Sequence, residues 1–282
     1  MYIILSDSIE GDTYEVYDSF DKSIKSMSLQ TLCEYKSRGR LVRGLRPHGV
    51  HYYGTVENYM SQGLMRFKLS GMERYFEFNG NYMGVRAYLG GLSNVVLPDF
   101  VCAIHQTAFQ GACKTEIKSL HIPDGVHLIY SMFRNFVELR KLRLPDDLRE
   151  IDMSLCEGCT NLVDVNIPIL VTKIHENAFR DCSSLTTVDM SDSVIETIDI
   201  SAFCNCTSLK EVRLPKTLKT IDEFAFGNTA IESIVIPESV TKLDRYAFGS
   251  CKQLKDIYIE GSGKSRPQLI VNDNCNIHME DG

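Results

Sequence analysis

The stretch IPESVTKLDRYAFGSCKQL, residues 236–254, contains most of the unit from which the last two thirds of this chain are built. The unit begins with an aliphatic segment that ends at Pro237, and Ala247-Phe248 and Cys251 follow it. Equivalent segments end at residues 98, 123, 145, 168, 191, 215 and 260, so the spacing is 22 to 25 residues. A period of this length predicts a solenoid, in which each repeat forms one turn.

Each repeat is expected to contribute one strand to a long parallel sheet. Side chains in Ile234-Val235-Ile236 alternate between core and solvent, and Pro237 ends the strand because it has no N–H for the ladder. A turn then leads to a second buried position at Leu243. A short helical or 3₁₀ turn is expected to bury the Ala-Phe pair on the opposite side, where the aromatic residues stack as a spine: Phe109, Phe133, Phe179, Phe203, Phe226 and Phe248.

The predicted fold class is an α/β solenoid with a parallel sheet on one face and short helical turns on the other, preceded by a small α+β domain. That domain spans residues 1–90, and its expected strands include Tyr2–Leu5, Tyr14–Tyr17 and a pair formed by 66–69 and 75–78. Its helix is expected to begin after Ser28 and to end at Gly39. Residues 91–260 form seven to eight repeats, and residues 261–282 form a tail in which 269–271 and 276–279 close the open end of the solenoid.

Charge is unevenly distributed along the 282 residues, whose formal net charge is −7. Residues 1–90 contain 11 Lys/Arg and 10 Asp/Glu, whereas residues 91–282 contain 19 and 27, so the acidic part is the repeat region. This weighs against nucleic acid as its partner, since nucleic acid needs a basic surface. The basic segment 36–46 is at most a weak binding site for nucleic acid.

The sequence contains no apolar run long enough to span a membrane and no recognisable signal peptide, so a cytoplasmic location is expected. A surface or secreted protein whose export signal has been removed is the alternative.

Cysteine recurs in phase with the repeat. Four of the ten cysteines lie three residues after the aromatic position: Cys159, Cys182, Cys206 and Cys251. A small residue with a weak S–H donor suits a buried turn whose backbone carbonyls need partners. We therefore expect a ladder of reduced, buried thiols and no disulfides.

The repeat resembles the BspA-like branch of the bacterial leucine-rich repeats over about residues 95–260. Matching features are Ile236-Pro237, Val240, Leu243, Ala247-Phe248, Cys251 and Leu254. Local departures include Cys156 in place of Phe, Ser191 in place of Pro and Thr229 in place of Cys. The resemblance implies a leucine-rich-repeat fold, and members of this family are often secreted or surface-exposed and bind host or matrix proteins.

Motifs of common enzyme families are absent: there is no G-x-S-x-G elbow, no P-loop and no dinucleotide-binding glycine pattern. His48 and His51 lie three residues apart, but no third metal ligand is evident. We expect no catalytic residue, no metal and no cofactor. An enzyme in the first domain that uses His48 or His51 is the alternative from a different functional class.

Binding residues are expected at the outward positions of the strands. Arg and Tyr are frequent at protein interfaces, and the candidates on this face are His121, Lys141, Arg143, Asn166, Asp189, Glu211, Arg213 and Tyr258. The other interpretation is an ordinary solvated sheet face. The first domain offers a competing surface with the candidates Arg40, Arg43, Tyr52 and Tyr53.

The function predicted from these features is that of a non-enzymatic module that binds another protein through a rigid repeat surface. Two alternatives are an intracellular inhibitor, from a phage or mobile element, of a bacterial enzyme or nuclease, and a surface adhesin.

Overall fold

The computed structural model describes residues 2–4, 13–18, 23–28, 76–79, 84–97, 103–105, 107–109, 113–126, 130–261 and 268–280. The chain divides into two compact units. The first comprises residues 1–92, 97–110 and 123–127, and the second comprises residues 93–96, 111–122 and 128–282. The predicted domain boundaries at 90/91 and 260/261 stay predictions.

The first unit contains two small sheets among its described residues. Strands β1 (Tyr2–Ile4), β2 (Thr13–Asp18) and β3 (Ser23–Ser28) form an antiparallel sheet in that order. Strand β4 (Phe76–Asn79) pairs antiparallel with β5 (Gly84–Tyr88), which pairs parallel with β7 (Ala103–Ile104). Tyr88 and Phe109 pack with their ring centroids 5.9 Å apart.

Some expectations for the first unit are met and others lie outside the described residues. The strands predicted at 2–5 and 14–17 occur as β1 and β2 and pair antiparallel. Strand β3, which ends at Ser28, was not predicted. The described partner of β4 is β5, whereas its predicted partner, 66–69, and the predicted helix after Ser28 lie outside the described residues. The α+β character of this unit is therefore unconfirmed.

In the repeat region, the aliphatic segment of each repeat forms a strand, and these strands together are called the first sheet. They are β6 (Asn94–Val96), β8 (Ser119–His121), β9 (Lys141–Arg143), β11 (Asp164–Val165), β13 (Thr187–Asp189), β15 (Glu211–Arg213), β17 (Ser233–Ile236), β19 (Asp256–Glu260) and β20 (Asn276–Glu280). Every ladder among them is parallel: β6-β8-β9-β11, β13-β15 and β17-β19-β20. This confirms the parallel solenoid. Strand β20, in the segment expected to close the open end, continues the first sheet beyond β19.

A second parallel sheet lies at the next buried position of each repeat, where the sequence predicted only a turn. Its five strands hydrogen-bond in chain order, and all are two residues long: β10 (Glu150–Ile151), β12 (Lys173–Ile174), β14 (Thr197–Ile198), β16 (Thr220–Ile221) and β18 (Lys242–Leu243). In each of the first four, the second residue is buried.

The third side of the repeat carries the Ala-Phe pair, and the helical turns expected there are not confirmed. Among the described residues, the one helix is α1 (Cys113–Glu116). The backbone N–H groups of Asn177, Phe179 and Asp181 donate to carbonyls of the next repeat, whereas those of Ala178 and Arg180 donate within their own turn. Because three of these five N–H groups bond to the next repeat, a continuous helix cannot form.

This alternation requires backbone in the left-handed region at two positions per turn. Asn177 and Asp181 have φ of 57° and 61°, and Ser201 and Asn205 have φ of 56° and 62°. Short polar residues adopt this region at lower cost than bulky ones. Glycine fills it at Gly158, where φ is 75° and where a Cβ would lie 2.2 Å from Asn135 Oδ1.

The aromatic spine is present and buried. The rings of Phe179 and Phe203 stack with centroids 5.2 Å apart, Phe203 and Phe226 are 5.4 Å apart, and Phe226 and Phe248 are 5.7 Å apart. All four side chains are fully buried. Cys156 occupies the equivalent place in its repeat and is also buried, so the stack begins at Phe179.

The thiol ladder is confirmed for the described cysteines, which are free. Each thiol of the ladder donates to the carbonyl at the aromatic position of an earlier repeat. The bonds run from Cys159 Sγ to Phe133 O at 3.1 Å, from Cys182 Sγ to Cys156 O at 3.2 Å, from Cys206 Sγ to Phe179 O at 3.2 Å, and from Cys251 Sγ to Phe226 O at 3.0 Å. Thr229 replaces Cys in one repeat, and its hydroxyl donates to Phe226 O within its own turn at 3.0 Å. Cys or Thr thus supplies a small donor at this position from Cys159 onward, whereas Phe136 fills it in the repeat of Phe133.

Replacing Phe203 with alanine should lower the free energy of unfolding by about 3–5 kcal/mol, because it empties a site packed between two parallel rings. Urea denaturation followed by circular dichroism measures this change. Tyr130→Ala is the control, since that ring is 64% exposed, and it should change stability by no more than about 0.5 kcal/mol. Equal effects of the two substitutions would contradict the buried spine.

Stability should fall in alkaline solution. Burial raises the pKa values of Cys156, Cys182, Cys206 and Cys251 above the ordinary thiol value. Above about pH 9 the unfolded chain loses these protons while the folded chain keeps them, so the unfolding free energy drops by up to about 1.4 kcal/mol per pH unit for each thiol. Denaturation between about pH 8 and about pH 10 measures the slope, which should be shallower in Cys206→Ala. Parallel slopes in the two proteins would contradict a titrating ladder.

Candidate functional site

The outward side chains of the first sheet form the surface that the sequence singles out, called here the strand face. The middle residue of β6, β8, β9 and β13 is buried and its neighbours are more exposed, as the alternation predicts. Register aligns equivalent residues of successive repeats into columns, such as Val96, His121 and Arg143. Side chains of one column are neighbours across a strand spacing of about 4.8 Å.

Two candidate cations share one carboxylate on this face. Lys141 Nζ lies 2.9 Å from Asp164 Oδ2, and Arg143 Nη1 lies 3.3 Å from Asp164 Oδ1. Strand β11, which carries Asp164, pairs directly with β9. The three side chains therefore hold one another in place, although each is at least 38% exposed and the pairs add little stability.

A second ion pair joins the candidates Arg213 and Asp189. Arg213 Nη1 lies 3.3 Å from Asp189 Oδ2 across the β13–β15 ladder. The hydroxyl and backbone N–H of Ser191 donate to the other carboxylate oxygen and, with Arg213, lower the pKa of Asp189. Arg213 is 71% exposed, so most of its guanidinium is available to a partner.

An aromatic cluster lies at the end of the strand face formed by β17, β19 and β20. Tyr258 stacks on His278 with ring centroids 4.7 Å apart and planes 13° apart. His278 Nε2 lies 2.8 Å from Asp256 Oδ1, and this contact is the main reason that the pKa of Asp256 is lowered. Val235, paired with Tyr258 in the register, is 47% exposed.

His278 was not among the candidate residues. Its register position opposite Tyr258 identifies it in the structure. The sequence alone did not reveal this pairing, because residues 276–279 were assigned to a segment that closes the end of the solenoid.

Asn166 has a structural role at its position. Its side-chain Oδ1 accepts a hydrogen bond from Leu144 N at 2.7 Å, and its Nδ2 donates to Leu144 O at 3.1 Å. The side-chain amide thereby pairs with the N–H and carbonyl of Leu144 as the backbone of a neighbouring strand would, just beyond the end of the two-residue strand β11. These bonds use much of the capacity that a partner would need.

The remaining candidates differ in what the structure places around them. His121 and Glu211 are exposed on strands β8 and β15. Arg40, Arg43, Tyr52 and Tyr53, together with His48 and His51, lie outside the described residues.

A polar cluster on the second sheet was not predicted. His175 Nε2 lies 2.8 Å from Glu150 Oε2, and Lys173 Nζ lies 2.9 Å from Asp199 Oδ2. His175 Nδ1 also lies 3.6 Å from Asp199. The two-residue strands that align these groups show too short an alternation to be detected in sequence.

Within the described residues, no group of three or more His, Cys, Asp or Glu side chains is arranged to hold a metal ion. Likewise, no helix in that part of the chain is long and apolar enough to cross a membrane.

Comparison with known families assigns the repeats. The family model of the BspA type leucine rich repeat region matches residues 87–196 and 172–278, with six copies of the repeat. Together these matches cover more than half of the chain. The chain belongs to the BspA-type leucine-rich repeat family. A comparison with curated proteins found no match.

Solved structures of bacterial leucine-rich repeat proteins are similar to this BspA-type chain. A leucine rich cell surface protein from Faecalibacterium prausnitzii A2-165 is 28% identical, with a TM-score of 0.53 over 62% of this chain and 50% of that one. A leucine-rich repeat protein from Eubacterium ventriosum is 22% identical, with a TM-score of 0.57 over 83% of this chain and 59% of that one, and shows the fold alone. The chain thus spans between half and three fifths of the length of these two proteins.

Substituting Asn166 should test its structural role in the BspA-type repeat. Asn166→Ala leaves the N–H and carbonyl of Leu144 without their side-chain partner and should cost about 1–3 kcal/mol of unfolding free energy. Asn166→Asp should also destabilise, because a carboxylate oxygen would face the carbonyl of Leu144. Thermal denaturation measures both, with the exposed Asn94→Ala as control. A loss no larger than that of the control would make Asn166 available for binding instead.

Proposed function

We propose that this chain is a non-enzymatic module that binds another protein through the strand face. The observation that carries the proposal is the composition of that face: an exposed Arg213 held by Asp189 and an exposed Val235 beside the stacked rings of Tyr258 and His278. Arginine and tyrosine on a fixed scaffold bind with little loss of conformational entropy. Membership in the BspA-type family, whose members are generally non-enzymatic, supports this part of the proposal.

The mixed charge of the face favours a partner with both signs of charge. Lys141 and Arg143 converge on one carboxylate, so that site has a surplus of positive charge, whereas Arg213 and Asp189 balance each other. Complementary charges mainly improve association rate and specificity, and buried aromatic contacts contribute more of the affinity. The Val235, Tyr258 and His278 cluster is therefore the proposed anchor, and the ion pairs orient the partner around it.

A surface location, with an adhesin-like role, is the second candidate. It is favoured by the similarity to the cell surface protein of Faecalibacterium prausnitzii, at 28% identity. The cytoplasmic location expected from the sequence stays a prediction, and protease treatment of intact cells distinguishes the two. The inhibitor alternative has no support among the comparisons.

A pair of matched double variants tests the strand face. Arg143→Ala with Arg213→Ala removes two cations from ion pairs on the first sheet. Lys173→Ala with Lys219→Ala removes two from ion pairs elsewhere, with Asp199 and Glu196. Each of the four cations is at least 35% exposed, and ion pairs at the surface add little stability, so both proteins should retain the melting temperature of the wild type within a few degrees.

Quantitative affinity capture, followed by measurement of dissociation constants for the proteins retained, then separates the faces. The strand-face variant should lose more than about tenfold in affinity for the partner, and the control variant should bind normally. Tyr258→Ala should produce a loss at least as large. If all three bind as the wild type does and Arg40→Ala with Arg43→Ala abolishes binding, the recognition surface belongs to the N-terminal residues.

A further inference from the structure

A groove on the turn side of the last repeats is separate from the strand face. It has a volume of about 550 Å³ and lies along residues 180–252, within the size range of small-molecule sites. Its lining includes Arg180, Cys204, Asn205, Phe224, Asn228 and Lys252.

Glycine makes room for this groove. The residue that follows the aromatic position is Arg134, Glu157, Arg180 and Cys204 in successive repeats, and then Gly227 and Gly249. Two successive turns therefore lack a side chain where earlier turns have one. The ring of Phe224 lies over both glycines: a Cβ on Gly227 would come within 2.9 Å of it, and one on Gly249 within 2.6 Å.

Phe224 itself occupies an unfavourable conformation. Its φ is 50°, in the left-handed region, where the equivalent residues of four preceding repeats are Ser131, Ser154, Asn177 and Ser201. A bulky residue is rarely found with positive φ, and such strain concentrates at ligand-binding sites. The ring is half-buried and stacks on Tyr246 with centroids 5.6 Å apart. A serine, as in the earlier turns, would adopt this backbone conformation with less strain, although it would not stack on Tyr246.

Polar groups line the groove beside the ring. Asn228 Nδ2 donates to Asn205 Oδ1 at 2.9 Å, and Asn205 Nδ2 donates to Asp181 Oδ1 at 2.8 Å. Each amide nitrogen has a second hydrogen, and Asn228 Oδ1 adds an acceptor. Ser201 and Ser250 contribute hydroxyl groups. The lining therefore offers both donors and acceptors.

The charge of the groove is opposite to that of the chain. Arg180 and Lys252 line it, and no carboxylate is among the described residues of the lining. Arg180 Nε lies 3.6 Å from Asp181 Oδ2 and Arg180 Nη1 donates to Asn177 Oδ1 at 3.4 Å. The donors of Nη2 and the second hydrogen of Nη1 remain for a ligand. In a protein of net charge −7, two cations without an acid in the lining favour an anionic ligand.

We propose that this groove binds an acidic oligosaccharide, such as a chain of uronic acids. The apolar C–H face of a sugar ring packs against an aromatic ring such as Phe224, and its hydroxyl groups both donate and accept hydrogen bonds as the amides of Asn205 and Asn228 do. Its carboxylates pair with Arg180 and Lys252. A peptide anchored by an apolar side chain needs a deeper pocket than one ring in an open groove provides.

Isothermal titration calorimetry with the whole chain tests the proposal. Tetragalacturonate should bind, maltotetraose of the same length should bind at least about tenfold more weakly, and so should a tetrapeptide of glutamate. Phe224→Ser, which restores the residue of the earlier repeats and removes the strain, should weaken tetragalacturonate binding by about tenfold or more while the circular dichroism spectrum is unchanged. Lys252→Gln should weaken tetragalacturonate binding and leave any binding of maltotetraose unaltered. Arg213→Ala, on the strand face, should have no effect.

Three results would overturn the proposal: no heat of binding with the wild-type protein, equal affinity for the glutamate peptide, or normal tetragalacturonate binding by both Phe224→Ser and Lys252→Gln. None of them bears on protein binding by the strand face, which the Arg143 and Arg213 variants test separately.

Discussion

The backbone of each repeat must hydrogen-bond to the backbone of the next, and the rest of the solenoid depends on this constraint. Two sides meet it as parallel sheets. The turn side meets it by sending alternate amides, such as those of Asn177 and Phe179, to the following repeat. Since the ladders fix the separation of repeats, any residue type that recurs at one buried position must stack on itself. That is why phenylalanine rings lie 5.2 to 5.7 Å apart and why a thiol such as that of Cys206 always finds the same carbonyl one turn away.

Features encoded within a single repeat were predictable from the sequence. Features that arise from contacts between adjacent repeats were less predictable. The alternation of apolar and polar residues along each strand predicted the buried and exposed positions of the first sheet. The constant place of Phe and Cys within the repeat predicted the aromatic and thiol columns. The turn side was predicted to be a short helical or 3₁₀ turn that buries the Ala-Phe pair, whereas the structure divides the amides of this segment between two repeats. A signal was present in Asn177 and Asp181, which flank Phe179 symmetrically and tolerate positive φ. The second sheet was missed because two residues per strand show no period.

For the candidate site, the sequence identified which side chains point outward but not how they are engaged. Arg143 and Arg213 are on the strand face as expected, but their contacts with Asp164 and Asp189 follow from register between strands more than 20 residues apart. Asn166 illustrates the same point, since nothing within its own repeat indicates that its amide bonds to Leu144. An exposed polar residue in a solenoid therefore has an interpretable role only after its neighbours in the adjacent repeats are known.

Departures from the repeat differ in what they imply. Cys156 replaces a phenylalanine in the core, where surrounding apolar side chains absorb the change and the residue stays fully buried. Phe224 replaces serine or asparagine at a strained backbone position and leaves its ring partly in solvent. With its ring in this place, a Cβ on Gly227 or Gly249 would clash with it. Stacking on Tyr246 stabilises the ring, but a serine would occupy this position without the backbone strain. A requirement outside folding accounts for it better, and the ladder permits it because backbone bonds, and not the side chains of the turn, hold successive repeats together.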